Sequence, residues 1–317
     1  MIINAATICD KNYLVRALAL YDSMIRNIPD SKFWILCADE DSEHILQDLN
    51  LSNVIIINFD NLNDLELLET KKNRSFTEFI FTSKSALISY ILSKIPDGDA
   101  LIYNDADLFY FSSPTEVLAR MKNGGYSIGI VPHKFPKNKE YMNEKVGKYN
   151  AGLLYLIADQ NSRLCTNEWR KLCIEWCYLK YEKDRFGDQL YLNKWPEKYR
   201  GVYEIRNKGV NLGSWSIYDF EIRKRSDQFY VDGEPLICYH FHRIQFYIEG
   251  NSIKPLPIYI FHEELYKEYT GALEITWNKL KEIKGSWNYG FADKPNVSRL
   301  VKQKVHKTLR NLIHYSN

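Results

Sequence analysis

The stretch Ala100–Pro114, ALIYNDADLFYFSSP, decides how this chain is read. Ala100–Asn104 is a short apolar run, which suits a buried strand. The run delivers Asp105-Ala106-Asp107, and apolar residues resume at once. In open parallel α/β sheets, ligands bind beyond the carboxyl ends of the strands. Two carboxylates one residue apart can approach one hard cation together, and Mg²⁺ or Mn²⁺ held in this way keeps positions for water and phosphate oxygens. Such an ion screens a diphosphate and stabilises it as a leaving group. The spacing by itself leaves a plain turn open, because Asn-Asp-Ala-Asp is also good turn chemistry. The buried strand in front of it favours a site.

Working outward, apolar runs alternate with helical patterns through the first half. Met1–Ile8, Phe33–Cys37, Val54–Phe59, Tyr126–Val131 and Tyr149–Ile157 read as strands. Tyr13–Ile28 carries Leu14, Leu18, Tyr21 and Ile25 at helical spacing; Asp41–Leu49, Thr77–Lys94 and Thr115–Lys122 read as further helices. Asn61–Asn73 has the look of a loop or frayed helix. This alternation predicts an α/β fold with a mainly parallel sheet flanked by helices. The second half is less regular. Asn161–Tyr181 reads as helix, Tyr199–Gly213 as short strands and turns, and Phe261–Lys284 as helix. Pro235–His242 reads as a strand with His240 and His242 on one face. Residues 1–250 are expected to form one domain and 251–317 a helical C-terminal extension.

The 317 residues carry 42 Lys and Arg against 40 Asp and Glu, a net charge of +2, which excludes a globally basic nucleic-acid binder and a disordered polyelectrolyte. No window reaches the roughly 18 to 20 apolar residues of a membrane-spanning helix. Asp10, Lys11 and Asn12 interrupt the first apolar stretch, which argues against a secretory leader. The six cysteines mostly sit in apolar patterns and lack partner ligands at zinc spacing, so reduced core cysteines in a cytoplasmic protein are expected.

Taken together, several segments resemble the A-type nucleotide-sugar glycosyltransferases, above all the retaining, family-eight-like bacterial transferases that build surface polysaccharides. They are IINAATICDKNYLVRALALYDSM, FTSKSAL, IYNDADLFYFSSP, KYNAGLLYL, FGDQLYLN and CYHFHR, in the order expected of that family and spread over most of residues 1–245. The family's usual Gly after its His-Phe-x triplet is Arg243 here. The resemblance implies a single Rossmann-like A-type domain and a metal-dependent transfer from a nucleotide-diphosphate sugar, UDP-linked, with retention. It implies a glycan or lipid-linked glycan acceptor at the cell surface, such as lipopolysaccharide or capsule.

The same resemblance distributes roles. Asp105, Asp107 and His240 would hold the metal, with Ala106 between the carboxylates. Asp10 and Tyr13 would hold the base, and Ala6 and Thr7, ending the first strand, would line the same pocket. Asp10 can equally cap a helix starting at Lys11 or Asn12. Lys84 would reach the diphosphate or donor sugar as a point charge, or it is a solvated helix lysine. Asn150 would meet a sugar hydroxyl or a loop backbone, since a polar amide in a buried strand needs a partner; Gly152 allows close approach. Asp188 would bind donor-sugar hydroxyls, or cap a helix start. Gln189 would lie beneath the anomeric carbon, where an amide is too poor a nucleophile for double displacement and front-side attack is easier to accept. His242 would face phosphate or acceptor. Trp215, in a turn-rich segment, is a sugar-stacking wall or a structural anchor.

From Lys294 onward there is no acidic residue, and Lys294, Arg299, Lys302, Lys304, Lys307 and Arg310 accompany an apolar helical pattern. This basic amphipathic segment, 294–317, suits an anionic membrane surface, the catalytic domain or a partner. Three rival functions stand beside the transferase. One is a non-catalytic glycan- or nucleotide-binding protein on the same fold. Another is a nucleotidyltransferase, which wants a Gly-rich loop that INAATICDKN lacks. The third is a haloacid-dehalogenase-type phosphatase, which wants Thr or Val where Phe109 stands.

Overall fold

A computed structural model describes residues 1–256 and 262–296. The expected alternation is present. Ile3–Cys9 (β1), Lys32–Cys37 (β2), Val54–Ile57 (β3) and Ala100–Asn104 (β4) are parallel neighbours in one sheet. Leu108–Tyr110 (β5) leaves that sheet just after the acidic pair. Ile128–Pro132 (β6), Tyr149–Ile157 (β7) and Val202–Glu204 (β8) complete it in the order β3-β2-β1-β4-β7-β6-β8. β7 runs antiparallel to both β4 and β6, so the sheet is mainly but not wholly parallel.

Period-two alternation lets both faces of these strands be buried. Ala100 and Ile102 of β4 enter one core with Leu14, Leu18, Tyr269 and Trp277, supplied by the helices Leu14–Asn27 and Glu263–Lys284. Leu101 and Tyr103 enter the other with Leu87, Ile91 and Trp169, supplied by Phe76–Lys94 and Gln160–Glu175. The helix Phe76–Lys94 begins where Ser75 and Glu78 form a reciprocal capping box. Asp159 and Ser162 do the same for Gln160–Glu175.

Four expectations change or narrow. Of the two readings of Asn61–Asn73, loop or frayed helix, the helical one is nearer: Asn58 and Asp64 cap the short helices Phe59–Leu62 and Leu65–Glu69. The expected helix to Tyr181 stops at Glu175, where Trp176 turns extended. β1 runs on to Cys9, so Ala6 and Thr7 lie mid-strand and fully buried instead of ending it. The fourth concerns Pro235–His242. Leu212–Gly213 (β9), Ile222–Arg225 (β10), Gln228–Val231 (β11), Glu234–Pro235 (β12) and Cys238–His240 (β13) follow in order. β10, β11 and β12 form a small antiparallel sheet, while β13 pairs with β5 and β9 in another. The late strand therefore ends at His240, and His242 lies beyond it. All six cysteines are buried and free, as expected. The basic helix expected over 297–314 lies outside the described residues. No helix among the described residues is long and apolar enough to cross a membrane.

Candidate active site

The site forms where β4 ends. Asp105 donates its backbone N–H to Gly152 on β7 (2.7 Å) and accepts from Leu108 N (3.0 Å) through its own carbonyl. The turn weighed as the bland alternative thus exists, and it presents the carboxylates. Asn104 anchors it: its Oδ1 accepts from the Tyr110 hydroxyl (2.7 Å) and its Nδ2 donates to the Ile102 carbonyl (2.9 Å). Ala106 is buried in the core.

The antiparallel pairing of β13 with β5 sets His240 opposite Leu108, one residue beyond Asp107. His240 Nε2 consequently lies 2.9 Å from Asp107 Oδ1 and 3.9 Å from Asp105 Oδ2. Phe241 N donates to the Asp107 carbonyl (2.9 Å) and ties the following turn down. Although His242 is off the strand, its ring centroid comes within 5.4 Å of that of His240. Asp107, His240 and His242 each offer a ligand atom, all within 4.8 Å of one another. Burial disfavours the Asp107 carboxylate, but His240 outweighs it and holds the carboxyl well below its usual range. His240 moves the opposite way: burial lowers it, and the Asp107 charge more than reverses that. Burial and the neighbouring His240 push His242 down to about 4, leaving its ring neutral and able to donate a lone pair.

These residues fit a divalent cation. His240 Nε2 is buried 2.9 Å from Asp107 Oδ1, so the ring and the carboxylate already stand where one cation could be shared between them. Two ligand atoms at about 2.1 Å from an octahedral ion stand about 3 Å apart, which matches that contact. An N/O donor set of this kind suits Mn²⁺-like ions. A Cβ added at Gly152 would lie 2.6 Å from Asp105 Oδ2 and 2.6 Å from His240 Cε1, so only glycine lets β7 pass this close.

The other carboxylate oxygen faces a different environment. Asp105 Oδ1 accepts from the Tyr103 hydroxyl (3.2 Å) and pairs with Lys84 Nζ (3.1 Å), which also pairs with Asp188 Oδ2 (2.9 Å). Lys84 is 3% exposed, so the solvated-lysine alternative fails. Burial opposes its charge, but Asp105 and Asp188 outweigh burial and raise its pKa. Asp188 is raised by burial, an effect that Lys84 offsets only in part. Its side chain does not cap the 3₁₀ turn Leu190–Lys194, and its carbonyl accepts from Trp169 Nε1 (2.7 Å). Gln189 is half-buried and donates from Nε2 to the Val146 carbonyl (2.6 Å).

Asp10 accepts from Tyr13 N (3.0 Å) and Asn12 Nδ2 (2.8 Å), so it closes the turn ahead of a helix that starts only at Leu14. Tyr13 is 44% exposed. Its phenol is raised by partial burial and then by the Asp107 and Asp105 charges, which puts the ring on the carboxylate side. Asn150 does not pair with a loop backbone. Its Oδ1 accepts from Gly152 N (3.0 Å) and Asn211 Nδ2 (3.1 Å), and its Nδ2 faces His133 Nε2 (3.0 Å). Trp215 donates to the His133 carbonyl (2.7 Å) and sets its ring edgewise to both His240 and His242. The anchor reading of Trp215 therefore holds. Sequence reasoning missed His133, and it noticed Asn211 only as part of the turn-rich segment that carries Trp215. His133 stands at the carboxyl end of an apolar strand, the same position that singled out Asp105.

A β4 end presenting paired carboxylates, a late histidine folded back onto them, and a lysine-bridged aspartate beside them on this sheet define a glycosyltransferase of the A-type fold. Residues 4–202 match the family described as Glycosyl transferase family 8. The chain belongs to that family. It is 29% identical to the uncharacterized protein YfnD of Bacillus subtilis (strain 168) over 239 residues, 74% of this chain and 76% of that protein. It is also 29% identical to YfnF of the same organism over 275 residues, 83% of this chain and 89% of that one. The fold matches the crystal structure of the galactosyltransferase LgtC in complex with donor and acceptor sugar analogs. That match has a TM-score of 0.54 at 19% identity, over 92% of this chain and 98% of the other.

Proposed function

We propose that this glycosyltransferase is metal-dependent and moves a sugar, with retention, from a UDP-linked donor to a cell-surface glycan. The observation that carries the reading is the convergence of Asp107, His240 and His242, whose ligand atoms lie within 4.8 Å of one another beside Asp105. Asp107, His240 and one oxygen of Asp105 would hold Mn²⁺ or Mg²⁺, with His242 as a further ligand or facing phosphate. When bound, that ion supplies charge to stabilise the departing diphosphate. Tyr13 offers a low-entropy ring face to the base and Asp10 a carboxylate oxygen to its N–H groups. Ala6 and Thr7, being fully buried, line that pocket only from behind. Lys84 and Asp188 bind donor hydroxyls as a pre-formed pair. With Nε2 committed to Val146, Gln189 directs its carbonyl oxygen as the free pole of the amide, which suits positive charge developing at the anomeric carbon. The acceptor hydroxyl would then attack the anomeric carbon on the face from which the diphosphate leaves; the bond from that carbon to the diphosphate oxygen breaks, and that oxygen takes the hydroxyl proton. The segment 294–317 would dock the enzyme on an anionic membrane where lipid-linked acceptors lie, each basic residue adding about 1 kcal/mol.

The test is nucleotide release from a panel of nucleotide sugars, with Mn²⁺ or with EDTA, beside Asp105→Asn and Asp107→Asn. Metal-dependent UDP release from one sugar, lost in both variants, is expected. Metal-independent nucleotide binding without turnover sinks the reading and favours the binding-only protein. For the tail, a chain ending at residue 293 should leave anionic vesicles while still hydrolysing the donor; unchanged vesicle binding overturns that part.

A further inference from the structure

The hydrogen bonds behind the acidic pair have a direction, and it can be read from one end. Gly152 N is a backbone donor, and it points at Asn150 Oδ1 (3.0 Å). That assigns the Asn150 amide, because an NH₂ there would face a donor. Its Nδ2 therefore turns to His133 Nε2 (3.0 Å), which must accept. Burial pushes His133 down to about 3, which agrees with a neutral ring holding a lone pair at Nε2. On the other side Asn150 Oδ1 also accepts from Asn211 Nδ2 (3.1 Å). The Asn211 amide is thereby assigned in turn, and its Oδ1 faces His240 Nδ1 (3.2 Å). An acceptor facing Nδ1 requires a proton there, so Nε2, on the side of Asp107 and Asp105, is the nitrogen that would exchange its proton for a cation.

We propose that Asn211, itself oriented by Asn150, is the positioning residue that fixes the His240 tautomer and ring so that the Nε2 lone pair is presented to a divalent cation. Three observations converge on it. Asn211 is fully buried although polar. Its backbone sits at φ +55°, in the left-handed region, a strain that persists where the surroundings impose it. Both ends of its carboxamide are committed, one to Asn150 and one to His240. A metal-bound imidazole commonly donates its second N–H to a fixed acceptor, and removing that acceptor weakens metal binding by about 10–100-fold. The usual acceptor is a carboxylate or a backbone carbonyl; here a neutral carboxamide takes that place, itself held by a backbone N–H. Asn211 touches neither donor nor metal. It acts through His240.

This inference rests on the cation centre proposed above, and the experiment separates the two. Mn²⁺ is titrated into the full chain without any sugar, with free Mn²⁺ read by electron paramagnetic resonance. Asn211→Gly removes the carboxamide and accepts φ +55° without strain. Asn211→Asp keeps an acceptor at Nδ1. The expected result is Mn²⁺ binding weakened about 10–100-fold in Asn211→Gly, and held within about tenfold of the parent in Asn211→Asp. An Asn211→Gly protein that melts like the parent and binds Mn²⁺ within about twofold of it, a change too small for a ligand support, overturns the proposal. Absence of Mn²⁺ binding by the parent chain overturns the cation centre, and the proposal with it. Should Asn211→Gly fail to fold, the parent still decides. With ¹⁵N-labelled histidine and Mg²⁺ bound, the His240 signals, identified by their loss in His240→Gln, must show the proton on Nδ1. A proton on Nε2 overturns the proposal whatever the variants do.

Discussion

The two oxygens of Asp105 face two differently built halves of one site. Oδ1 looks toward Lys84, Tyr103 and Asp188, where the chain supplies its own cation between two carboxylates. Oδ2 looks toward His240 and Asp107, which meet each other at 2.9 Å with His242 close by. The first half is neutralised internally and is ready as folded. The second is a His240–Asp107 pair that the proposed cation would replace. An unpaired buried charge costs several kcal/mol, so the first half should support the fold, while the second is the half proposed to take a ligand.

Asp105 is the one residue shared by both halves, so its loss should be the largest effect. In Asp105→Asn, metal-dependent nucleotide release should fall on the order of 10²–10³-fold, measured as kcat with saturating Mn²⁺. A loss under tenfold would show that the carboxylate serves only the Lys84 side. Lys84→Met tests the opposite half. It leaves Asp105 and Asp188 without their cation, and Asp188 is nearly fully buried. Urea denaturation should show a loss of about 3 kcal/mol, while Mn²⁺ affinity stays the same or tightens because a competing cation has gone. If Mn²⁺ binding collapsed with the stability, the two halves would be a single unit and the comparison would break.

The halves also differ in how legible they were. The helix and the strand that carry Lys84 and Asp105 follow from local pattern, but their pairing does not: the sequence offered Lys84 the diphosphate, the donor sugar or solvent, not a carboxylate of the chain. Helix ends and strand ends can be read from Ser75, Glu78 and Asn104 without knowing strand order. The cation half depends on pairings that no local pattern encodes. β7 reads as an apolar strand whichever way it runs, yet only its antiparallel insertion beside β4 brings Gly152 and Asn150 under Asp105. The late strand was visible, but not its departure from the main sheet to pair with β5, which alone puts His240 beside Asp107. His133 and Asn211 are far apart in the chain and meet only through Asn150. Their signal was a polar side chain at the edge of an apolar run, which also describes many satisfied core residues. Ala6 and Thr7 show the converse error: a strand end placed too early by a run that stays apolar to Cys9.

Gly152→Ala sharpens the contrast at one atom. The new Cβ would meet Asp105 Oδ2, His240 Cε1 and Asn150 Oδ1 at 2.6, 2.6 and 2.7 Å, all on the cation side or its support. Overpacking of this kind costs about 1–3 kcal/mol. It should appear as Mn²⁺ binding weaker by about tenfold, the equivalent of about 1.4 kcal/mol. The Lys84–Asp188 pair should keep its share of stability: Lys84→Met should cost the same in either background. A larger cost in the alanine background would mean that strain crosses Asp105 from one half to the other.

The smallest effect is expected at Arg243, where the chain turns after His242. Its φ is +58°, and it stands where the family usually has glycine. A non-glycine residue held in the left-handed region costs about 1–2 kcal/mol. Replacing it with glycine removes that cost but frees the unfolded chain, which takes back about 0.4–1 kcal/mol. The net expectation for Arg243→Gly is a gain of about 0.5–1 kcal/mol, or a melting temperature higher by about 1–4 °C. Arg243 is exposed, and its charge contributes to holding His242 neutral. Mn²⁺ affinity at neutral pH should nevertheless hold, because burial and His240 act on His242 before Arg243 does. A stabilised variant with unchanged Mn²⁺ affinity would mean that the turn needs only its backbone shape to bring His242 back to Asp107. A variant destabilised by more than about 1 kcal/mol reverses the sign set by the backbone terms. The guanidinium would then have to make a contact that offsets its strained backbone, and the cation half would carry a charge of its own after all.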